Sequence, residues 1–477
     1  MDDRLMGPFD QRVETALGRD FQRQALRRAQ DGMRDRRRIA TTRFPAWEEW
    51  RARTEAIRAH TVNHLDHYLE QFAAKAEGKG ARIFFAATAG EATEYVVQIA
   101  RQKGVKRVVK GKSMVSEEIG LNEALEQDQV ETVETDLGEY IIQLAGDRPF
   151  HILGPAIHKN REQIRDLFSR VSGQPVGSDA RELTRFARTQ LRKKFLAADM
   201  GITGGNFGVA STGTVVLVTN EGNGRLSSGL PRTHVVIMGM ERLVPDWESL
   251  DVLLSVLPRS ATGQDSTAYV TAITGPKRAE DQDGPEELHV VIVDNGRSRL
   301  LGTRYQPVLH CIRCATCLNV CPVYRQIGGH AYGSVYMGPI GAVLTPLIEG
   351  LEKWPELPFA SSLCGACQEV CPARIPLTDF LADLRQDLVQ KGARPESEKL
   401  AFQIFGTVMG HPWFYNKALG LVNAVLRFWE KEGQIVKGPG LLKKWSASRN
   451  LPAPPKQSFH DWWEEEGRKA SGRNEKG

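Results

Sequence analysis

The chain reads Cys311-Ile-Arg-Cys314-Ala-Thr-Cys317-Leu-Asn-Val-Cys321-Pro at its first cysteine motif and Cys364-Gly-Ala-Cys367-Gln-Glu-Val-Cys371-Pro at its second, and it has no other cysteine. Two residues between cysteines allow one turn of backbone to aim several sulfurs at a single cuboidal cluster. The proline after the last cysteine of each motif turns the chain away. This spacing predicts iron-sulfur ligands.

Two other uses of cysteine fit the pattern less well. A disulfide framework belongs to secreted proteins and usually has an even number of cysteines, whereas this chain has seven. Zinc sites are built from two Cys-x-x-Cys pairs, and they do not need a fourth cysteine three residues later followed by proline.

The number of cysteines predicts how the ligands are shared. In two-cluster ferredoxin motifs the fourth cysteine ligates the other cluster. We therefore expect cluster 1 to be held by the first three cysteines of motif one and the last of motif two, that is Cys311, Cys314, Cys317 and Cys371. Cluster 2 is then held by Cys321, Cys364 and Cys367, with one ligand missing.

The missing ligand would stand at Ser361, where the second motif aligns with Cys311 of the first. Three interpretations remain open: a 3Fe-4S cluster, a 4Fe-4S cluster with an oxygen or solvent ligand, and a 4Fe-4S cluster completed by a partner. The segment from Cys321 to Cys364 is too long for a compact ferredoxin. It favours an α-helical ferredoxin-like iron-sulfur domain, as in succinate dehydrogenase iron-sulfur subunits.

Composition is that of a globular chain large enough for two or three domains, with 477 residues, 41% hydrophobic and 25% charged. No apolar run approaches the ~20 residues of a membrane span. The N-terminus lacks the apolar region of a signal peptide. With its cysteines reserved for metal, the chain is expected to be cytoplasmic.

The net charge of +5 comes largely from arginines near the start, densest at Arg34-Asp-Arg-Arg-Arg38. Acidic residues are interleaved with these arginines, and no nucleic-acid reading motif accompanies them. We therefore interpret the segment as a solvated helical face. An iron-sulfur regulator that binds nucleic acid is disfavoured for the same reason.

Strands and helices alternate through the middle of the chain, which predicts an α/β domain with a mostly parallel sheet. The expected strands are Ile83–Ala87 (buried), Arg107–Lys110, Thr132–Glu134, Thr214–Thr219, His234–Met238 and His289–Val293. The expected helices are Ala92–Lys103 and Ser116–Gln127, the second capped by Ser116. The predicted organisation is a helical segment over 1–80, the α/β domain over 81–300, the ferredoxin-like domain over 301–395, and a C-terminal helical segment and tail over 396–477, disordered after Glu464.

Several polar or glycine-rich segments of the α/β domain could bind a ligand or form tight turns. The glycine-rich segments are Gly201–Gly208, Ala210–Thr214 and Asn220–Arg225. None has a Rossmann or Walker pattern. The polar segments are Pro155–Lys159, in which His158 beside Lys159 could bind an acid or be structural, and Asp294–Arg297.

Together these motifs resemble the lactate utilization protein B family, the iron-sulfur member of the lactate utilization system. The resemblance rests on segments in a shared order: Ala89–Ala92, Val109–Val115, Pro155–Lys159, Gly201–Phe207, Asn220–Arg225, Asp294–Arg297, His310–Cys314, Gly328–Gly333 and Leu363–Cys367. The seven cysteines match the family pattern, including the gap at Ser361.

This resemblance implies an electron-transfer role in the oxidation of L-lactate to pyruvate, with A- and C-type lactate utilization proteins as partners and an unknown electron acceptor. It also implies that the α/β domain resembles the fold of sugar-phosphate isomerases and CoA transferases. No catalytic residue is expected, because the two clusters would act as a relay.

A rival hypothesis makes the α/β domain catalytic. The segment Glu221-Gly-Asn-Gly224 loosely resembles the glutamate loop of CoA transferases, in which the carboxylate attacks a thioester. Similarity of fold alone is a weak reason for this function.

Overall fold

The computed structural model describes residues 7–393, 396–438, 440, 442–446 and 449–467. The chain forms two compact units, Met1–Lys391 and Gly392–Gly477. The first unit contains the N-terminal helices, the α/β layers and both cysteine motifs, so every site below lies within it.

The N-terminal segment is helical, as the sequence predicts, with α1 Phe9–Leu17, α2 Asp20–Thr42, α3 Trp47–Asn63 and α4 Leu65–Glu77. Helices α2 and α3 pack against the cysteine motifs. The Gln30 side chain donates a hydrogen bond to Leu318 O at 2.7 Å, and the Arg325 guanidinium contacts Asp31 at 2.7 Å.

The prediction of a solvated arginine face holds for only part of the N-terminal segment. Arg34, Arg36 and Arg38 are exposed, but Arg37 donates to Val370 O at 3.0 Å. Arg58 of α3 is fully buried and donates to Leu243 O at 2.7 Å. The sequence misled here because backbone carbonyls of a distant segment, rather than water, satisfy these guanidinium groups.

Ten strands follow in the first unit: β1 Arg82–Ala86, β2 Arg107–Lys110, β3 Glu131–Glu134, β4 Met200–Gly204, β5 Phe207–Val209, β6 Thr214–Thr219, β7 Thr233–Gly239, β8 Leu243–Val244, β9 Tyr269–Ile273 and β10 Glu287–Val293. Six of them form a parallel sheet in the order β1-β10-β7-β4-β2-β3. Within it, Val235 pairs with both Ile202 and His289. The other four form a mixed sheet in the order β8-β5-β6-β9.

Helices α5 Ala89–Lys103, α6 Met114–Glu118, α7 Leu121–Gln127, α8 Leu137–Ala145, α9 Arg161–Ser172, α10 Ala180–Leu196, α11 Asn223–Gly229 and α12 Trp247–Ala261 connect the strands. The parallel sheet is buried on both faces. Val235 and Val291 point into one apolar core, while Val236 and Val290 point into the other. Burial on both sides explains why these strands read as continuous apolar runs.

Two local predictions are wrong. The segment around Ile83 is an edge strand that pairs only with β10, and Phe85 is 51% exposed. The helix expected over Ser116–Gln127 is instead two helices, because Gly120 adopts a left-handed conformation (φ 68°) between α6 and α7. The cap is Ser113, whose side chain accepts a hydrogen bond from Ser116 N.

The cysteine-bearing segment is helical, with α13 Thr316–Val320, α14 Tyr324–Ile327, α15 Gly338–Glu349, α16 Ala366–Glu369 and α17 Leu377–Gln390. These short helices share one apolar core that includes Leu318, Tyr324, Val343 and Leu381. The structure therefore combines an α/β domain with a helical cysteine-bearing region.

The second unit contains α18 Glu396–Gly410, α19 Pro412–Arg427, β11 Gln434–Ile435, α20 Leu442–Ser446, β12 Leu451–Pro452, α21 Phe459–Trp462 and a π-helix over Trp463–Gly467. The part of the expected disordered tail beyond Gly467 lies outside the described residues. Across the described residues, no helix has the length and apolar character needed to cross a membrane.

Candidate functional site

The first cysteine motif is a tight loop built on two left-handed residues. Arg313 has φ 59° and Ala315 has φ 57°. This conformation is unfavourable for residues other than glycine, and such residues occur often at functional sites. The backbone N–H of Arg313 donates to Cys311 Sγ at 3.4 Å. Helix α13 then ends at Val320, just before Cys321 and its proline.

Four of the seven cysteines line one small cavity. They are the cysteines that the sequence assigns to cluster 1, namely Cys311, Cys314, Cys317 and Cys371. The rest of the wall is largely apolar, with Ile152, Ile340 and Leu377 among its members. We call this cavity the first cysteine site. Cys371 reaches it from the second motif, although the chain between the motifs is long.

The thiols of this site affect one another electrostatically. Burial, and then the neighbouring Cys371, raise the pKa of Cys314. Burial also raises the pKa of Cys371 to about 11, and Cys311 adds to that shift. Several thiolates crowded into a buried space are unfavourable unless a cation is present, and a bound metal deprotonates its thiol ligands. The donor set therefore fits an iron-sulfur cluster.

The second motif repeats the backbone of the first, each residue standing 50 positions after its counterpart (361 against 311, 371 against 321). Leu363 has φ 54° and Gly365 has φ 82°, matching the two left-handed residues of the first motif. Ser361 Oγ accepts a hydrogen bond from Leu363 N at 3.1 Å. Ser361 thus makes the same local contact as Cys311.

The remaining three cysteines neighbour one another around a second cysteine site, which we define by Cys321, Cys364 and Cys367. Burial raises the pKa of Cys321 to about 11, and both Cys367 and Cys364 add to the shift. Cys364 is exposed, whereas Cys321 and Cys367 are buried. The second site therefore opens to the surface, while the first is largely enclosed. No disulfide joins the seven cysteines, which all lie in the described part of the chain.

Guanidinium groups from two separate segments, helix α3 and the turn after β7, lie beside the first cysteine site. Arg51 donates to Cys371 O at 2.9 Å, and Arg242 donates to Cys311 O at 2.7 Å. Arg58 donates to Leu309 O at 3.0 Å, just before the first motif. These positive charges offset the negative charge of cysteine thiolates.

The Asp294–Arg297 segment is structural. The fully buried Arg297 donates to both carboxylate oxygens of Glu118, at 2.8 and 2.6 Å. Its Nε lies 2.8 Å from Glu241 Oε2. Burial alone would raise the pKa of Glu118, but Arg297, together with hydrogen bonds from Asn295 and Tyr336, lowers it. The motif thus holds a buried ion pair rather than a ligand.

A cavity of about 450 Å³ opens at the carboxyl edge of the parallel sheet. Its floor follows β2 and β4, at Gly111–Ser113 and Thr203–Asn206. Opposite walls come from the Thr219–Glu221 turn and from Ile312 and Arg313 of the first cysteine motif. We call this space the sheet-edge cavity. It is separated from the first cysteine site by a wall that includes Ile152, Ile312 and Arg313, which line both.

Two of the three glycine-rich segments, Gly201–Gly208 and Asn220–Arg225, reach this cavity, but packing explains two of the glycines. The third segment, Ala210–Thr214, lies elsewhere, where a Cβ on Gly213 would lie 2.3 Å from Ala76 N. A Cβ on Gly204 would lie 3.1 Å from the Ser113 hydroxyl, and one on Gly205 would lie 3.2 Å from Met238. Gly222 has no neighbour within 4 Å of such a Cβ. Glu221 lies in the wall, where its carboxylate accepts from Leu137 N at 3.2 Å.

His158 and Lys159 belong to an internal polar cluster. Both contact Asp147 Oδ2, at 3.0 and 2.6 Å respectively. His330 bonds to Arg148 O at 2.8 Å. Ligand atoms of Asp147, His158 and His330 lie within 4.8 Å of one another, but Lys159 already supplies a cation to the carboxylate. The structural interpretation of His158 therefore fits best.

The sequence did not single out Lys112, Arg242 or Arg313 as lining residues of a cavity. One signal could have found two of them. Lys112 and Arg242 each come shortly after a parallel strand, β2 and β7, and side chains at the carboxyl ends of parallel strands commonly face a binding crevice.

Family models match most of the chain. They are the LUD domain over residues 69–293, the 4Fe-4S dicluster domain over 307–375, and lactate utilisation protein B, C-terminal, over 384–468. The dicluster match covers all seven cysteines. Together with the cysteine-lined cavity, it defines an iron-sulfur protein that combines an α/β domain with a 4Fe-4S dicluster domain.

Relatives resemble the chain over nearly its full length. Lactate utilization protein B of Shouchella clausii is 53% identical, covering 96% of both chains. The proteins of that name from Bacillus licheniformis and Bacillus subtilis are 52% and 51% identical, covering 96% and 95% of both chains. The chain belongs to the lactate utilization protein B family.

A solved structure, a DUF162 family protein from Deinococcus radiodurans, matches 48% of this chain and 98% of its own length. The match has 14% identity and a TM-score of 0.27.

Proposed function

We propose that this chain is the electron-transfer component of a system that oxidises L-lactate to pyruvate. The observation that carries the proposal is the cavity lined by Cys311, Cys314, Cys317 and Cys371, which joins the two motifs as cross-ligation requires. The name of the relatives supports lactate as the electron donor. We propose A- and C-type lactate utilization proteins as partners, with an electron acceptor still to be identified.

In this proposal the two cysteine sites hold two clusters. Cys311, Cys314, Cys317 and Cys371 would hold a 4Fe-4S cluster, and Cys321, Cys364 and Cys367 a second cluster of the 4Fe-4S or 3Fe-4S type. Iron-sulfur clusters supply one-electron redox chemistry when bound. Lactate gives up two electrons, so two neighbouring one-electron sites form a suitable relay.

The protein's own residues would control this relay. Buried apolar side chains exclude water from the first site, and Arg51, Arg58 and Arg242 place positive charge beside it. Positive charge and hydrogen bonds to sulfur both raise the reduction potential of such sites. The exposed Cys364 makes the second site the suitable place for exchange with a partner.

The proposal is tested by anaerobic reconstitution of the full chain with iron and sulfide. We expect L-lactate to reduce the clusters, followed by EPR, only when the A- and C-type proteins are present. The apoprotein with the same partners is the control. Absence of lactate-dependent reduction in the complete mixture would exclude the electron-transfer role.

Replacing Ser361 by cysteine should complete the ligand set of the second site. Ser361 repeats the local contact of Cys311, and thiolate is the stronger iron ligand. Ser361→Cys should therefore retain four irons at this site under mild oxidation, while wild type loses iron more readily. The neighbouring exposed Ser362→Cys is the matched control. Iron content and EPR spectra unchanged from wild type would mean that Ser361 does not face the cluster.

The catalytic alternative remains a second candidate because Glu221 lies in a cavity wall. We propose that the α/β domain resembles the fold of sugar-phosphate isomerases and CoA transferases, in which such a glutamate can attack a thioester. Thioester exchange between acyl-CoA and a free acid, assayed with the reconstituted full chain, tests it. Exchange that disappears in Glu221→Gln would favour this function over the relay, and no exchange in wild type would exclude it.

A further inference from the structure

The sheet-edge cavity lies where α/β proteins usually bind their ligands. In the parallel sheet, β2 is followed by β3, which lies beside it toward one edge. The next strand of this sheet after β4 is β7, which lies beside β4 toward the opposite edge. The strand order therefore reverses between β2 and β4, and ligands of open α/β sheets bind outside the carboxyl ends of strands at such a point. Both Gly111–Ser113 and Thr203–Asn206, which line the cavity, are at these ends.

Among the residues that the structure describes, one cation of the cavity has no acidic partner. Lys110 is fully buried and lies 2.8 Å from both Glu117 and Glu134. By contrast, Lys112, two residues later, donates only to the Leu153 carbonyl at 2.9 Å, and it has no ion pair within the described residues. A half-buried ammonium group is stabilised most by an anion that fits beside it in the cavity.

The wall toward the first cysteine site carries a second cation. Arg313 Nη2 lies 3.3 Å from Glu241 Oε1, while its buried Nη1 has no hydrogen-bond partner among the residues that the structure describes. Arg313 lines both the sheet-edge cavity and the first cysteine site. A molecule in the cavity would therefore lie one layer of side chains from Cys311 and Cys314.

We propose that the sheet-edge cavity binds a small 2-hydroxy or 2-oxo carboxylic acid, whose carboxylate pairs with Lys112 and whose neighbouring oxygen faces Glu221. The choice of acid rests on the proposed function, whereas the site itself rests on the cavity and its unpaired cation. The cavity volume of about 450 Å³ is larger than a three-carbon acid needs. Longer 2-hydroxy acids should therefore bind as well.

Glu221 can form a hydrogen bond with either the 2-hydroxy acid or the 2-oxo acid. Burial, and next Asp136, raise its pKa to about 7, while the Leu137 N–H and Lys112 partly offset the shift. Near neutral pH the carboxylate can accept a hydrogen bond from a hydroxyl group, and the protonated form can donate one to a keto oxygen. Among the other charged wall residues, Glu241 pairs with Arg297 and Arg313, and Arg242 bonds to Cys311 O.

The test is equilibrium dialysis of radiolabelled L-lactate against the anaerobically reconstituted full chain. We expect saturable binding that Lys112→Met weakens about tenfold or more, since a hydrogen bond to a charged group is lost. Lys75→Met, at an exposed lysine of α4, is the matched control and should bind as wild type does. Lys112→Arg keeps the charge and should lose less. Equal iron content and circular dichroism spectra establish that the variants are folded.

Ligand and pH series test the same site in unaltered protein. Propionate, which lacks the hydroxyl group, should compete more weakly than pyruvate or 2-hydroxybutyrate. Lactate should bind several-fold more tightly at pH 6 than at pH 8, because protonation of Glu221 removes its repulsion of the ligand carboxylate. Glu221→Gln should reduce this pH dependence. The remainder comes from Glu139, which interacts electrostatically with Lys112 and whose pKa burial raises to about 8.

The outcomes separate the site from the relay. Absence of saturable lactate binding, or Lys112→Met that binds as wild type does, overturns the proposed site even if partner proteins still reduce the clusters. Binding that requires Lys112 without any lactate-dependent cluster reduction supports the site and overturns the electron-transfer role instead.

Discussion

Cys371→Ala should remove the same cluster as Cys311→Ala, Cys314→Ala or Cys317→Ala, and should abolish lactate-dependent electron flow. The physical reason is that Cys371 lines the cavity of the first motif's three leading cysteines, although it belongs to the second motif. A 4Fe-4S cluster that loses one of four thiolates becomes labile. Iron content and the EPR spectrum of the reconstituted variant measure the loss.

The matched control is Cys364→Ala, which removes an exposed thiol of the second site. Combining Cys314→Ala with Cys371→Ala should cause no further loss of iron, whereas combining Cys314→Ala with Cys364→Ala should. Such non-additivity identifies residues that act as one unit. Circular dichroism must first establish that the variants fold, because cluster loss can unfold a small metal-binding domain. A Cys371→Ala spectrum that matches Cys364→Ala would make the predicted pairing wrong.

Arg297→Met should destabilise the first unit by about 3–5 kcal/mol, as expected when one partner of a buried ion pair is removed. Arg297, Glu118 and Glu241 are almost fully buried, with side chains at most 2% exposed. Methionine would leave two buried carboxylates without their shared cation. The free energy of unfolding, measured with urea by circular dichroism at pH 7.5, gives the effect.

The loss of unfolding free energy in Arg297→Met should become smaller as the pH is lowered. Burial would raise the pKa of Glu118, but Arg297 lowers it below the ordinary 4.5, so the pair stabilises the fold above that pH and the contribution is lost as pH falls. In the variant, burial raises the carboxyl pKa instead, and protonation removes the uncompensated charge. Arg299→Met, at an exposed arginine of the same loop that donates to Ile348 O at 3.0 Å, is the control and should cost only about 1 kcal/mol, the value of one hydrogen bond. An equal loss in both variants would mean that the buried pair is not the cause.

The sequence was sufficient wherever a feature depends on neighbours along the chain. The cysteine spacing predicts the two ligand loops, and the structure gives both loops the same pair of left-handed residues, at Arg313 and Ala315 and at Leu363 and Gly365. Apolar β-branched runs predicted strands such as Arg107–Lys110 and His289–Val293, because burial on both faces removes polar residues. The helix across Gly120 was predicted wrongly, because a single left-handed glycine overrides helical periodicity.

Only the tertiary structure decided what depends on distant segments. It brought Cys371 beside Cys311, aimed Arg51 and Arg242 at carbonyls of the two motifs, and buried Arg297 against Glu118. It also placed Lys112 in a cavity one wall from the first cysteine site. Spacing along a chain determines local backbone geometry, whereas these contacts arise when helices and sheets pack, and the charge, burial and partners of a side chain follow from that packing.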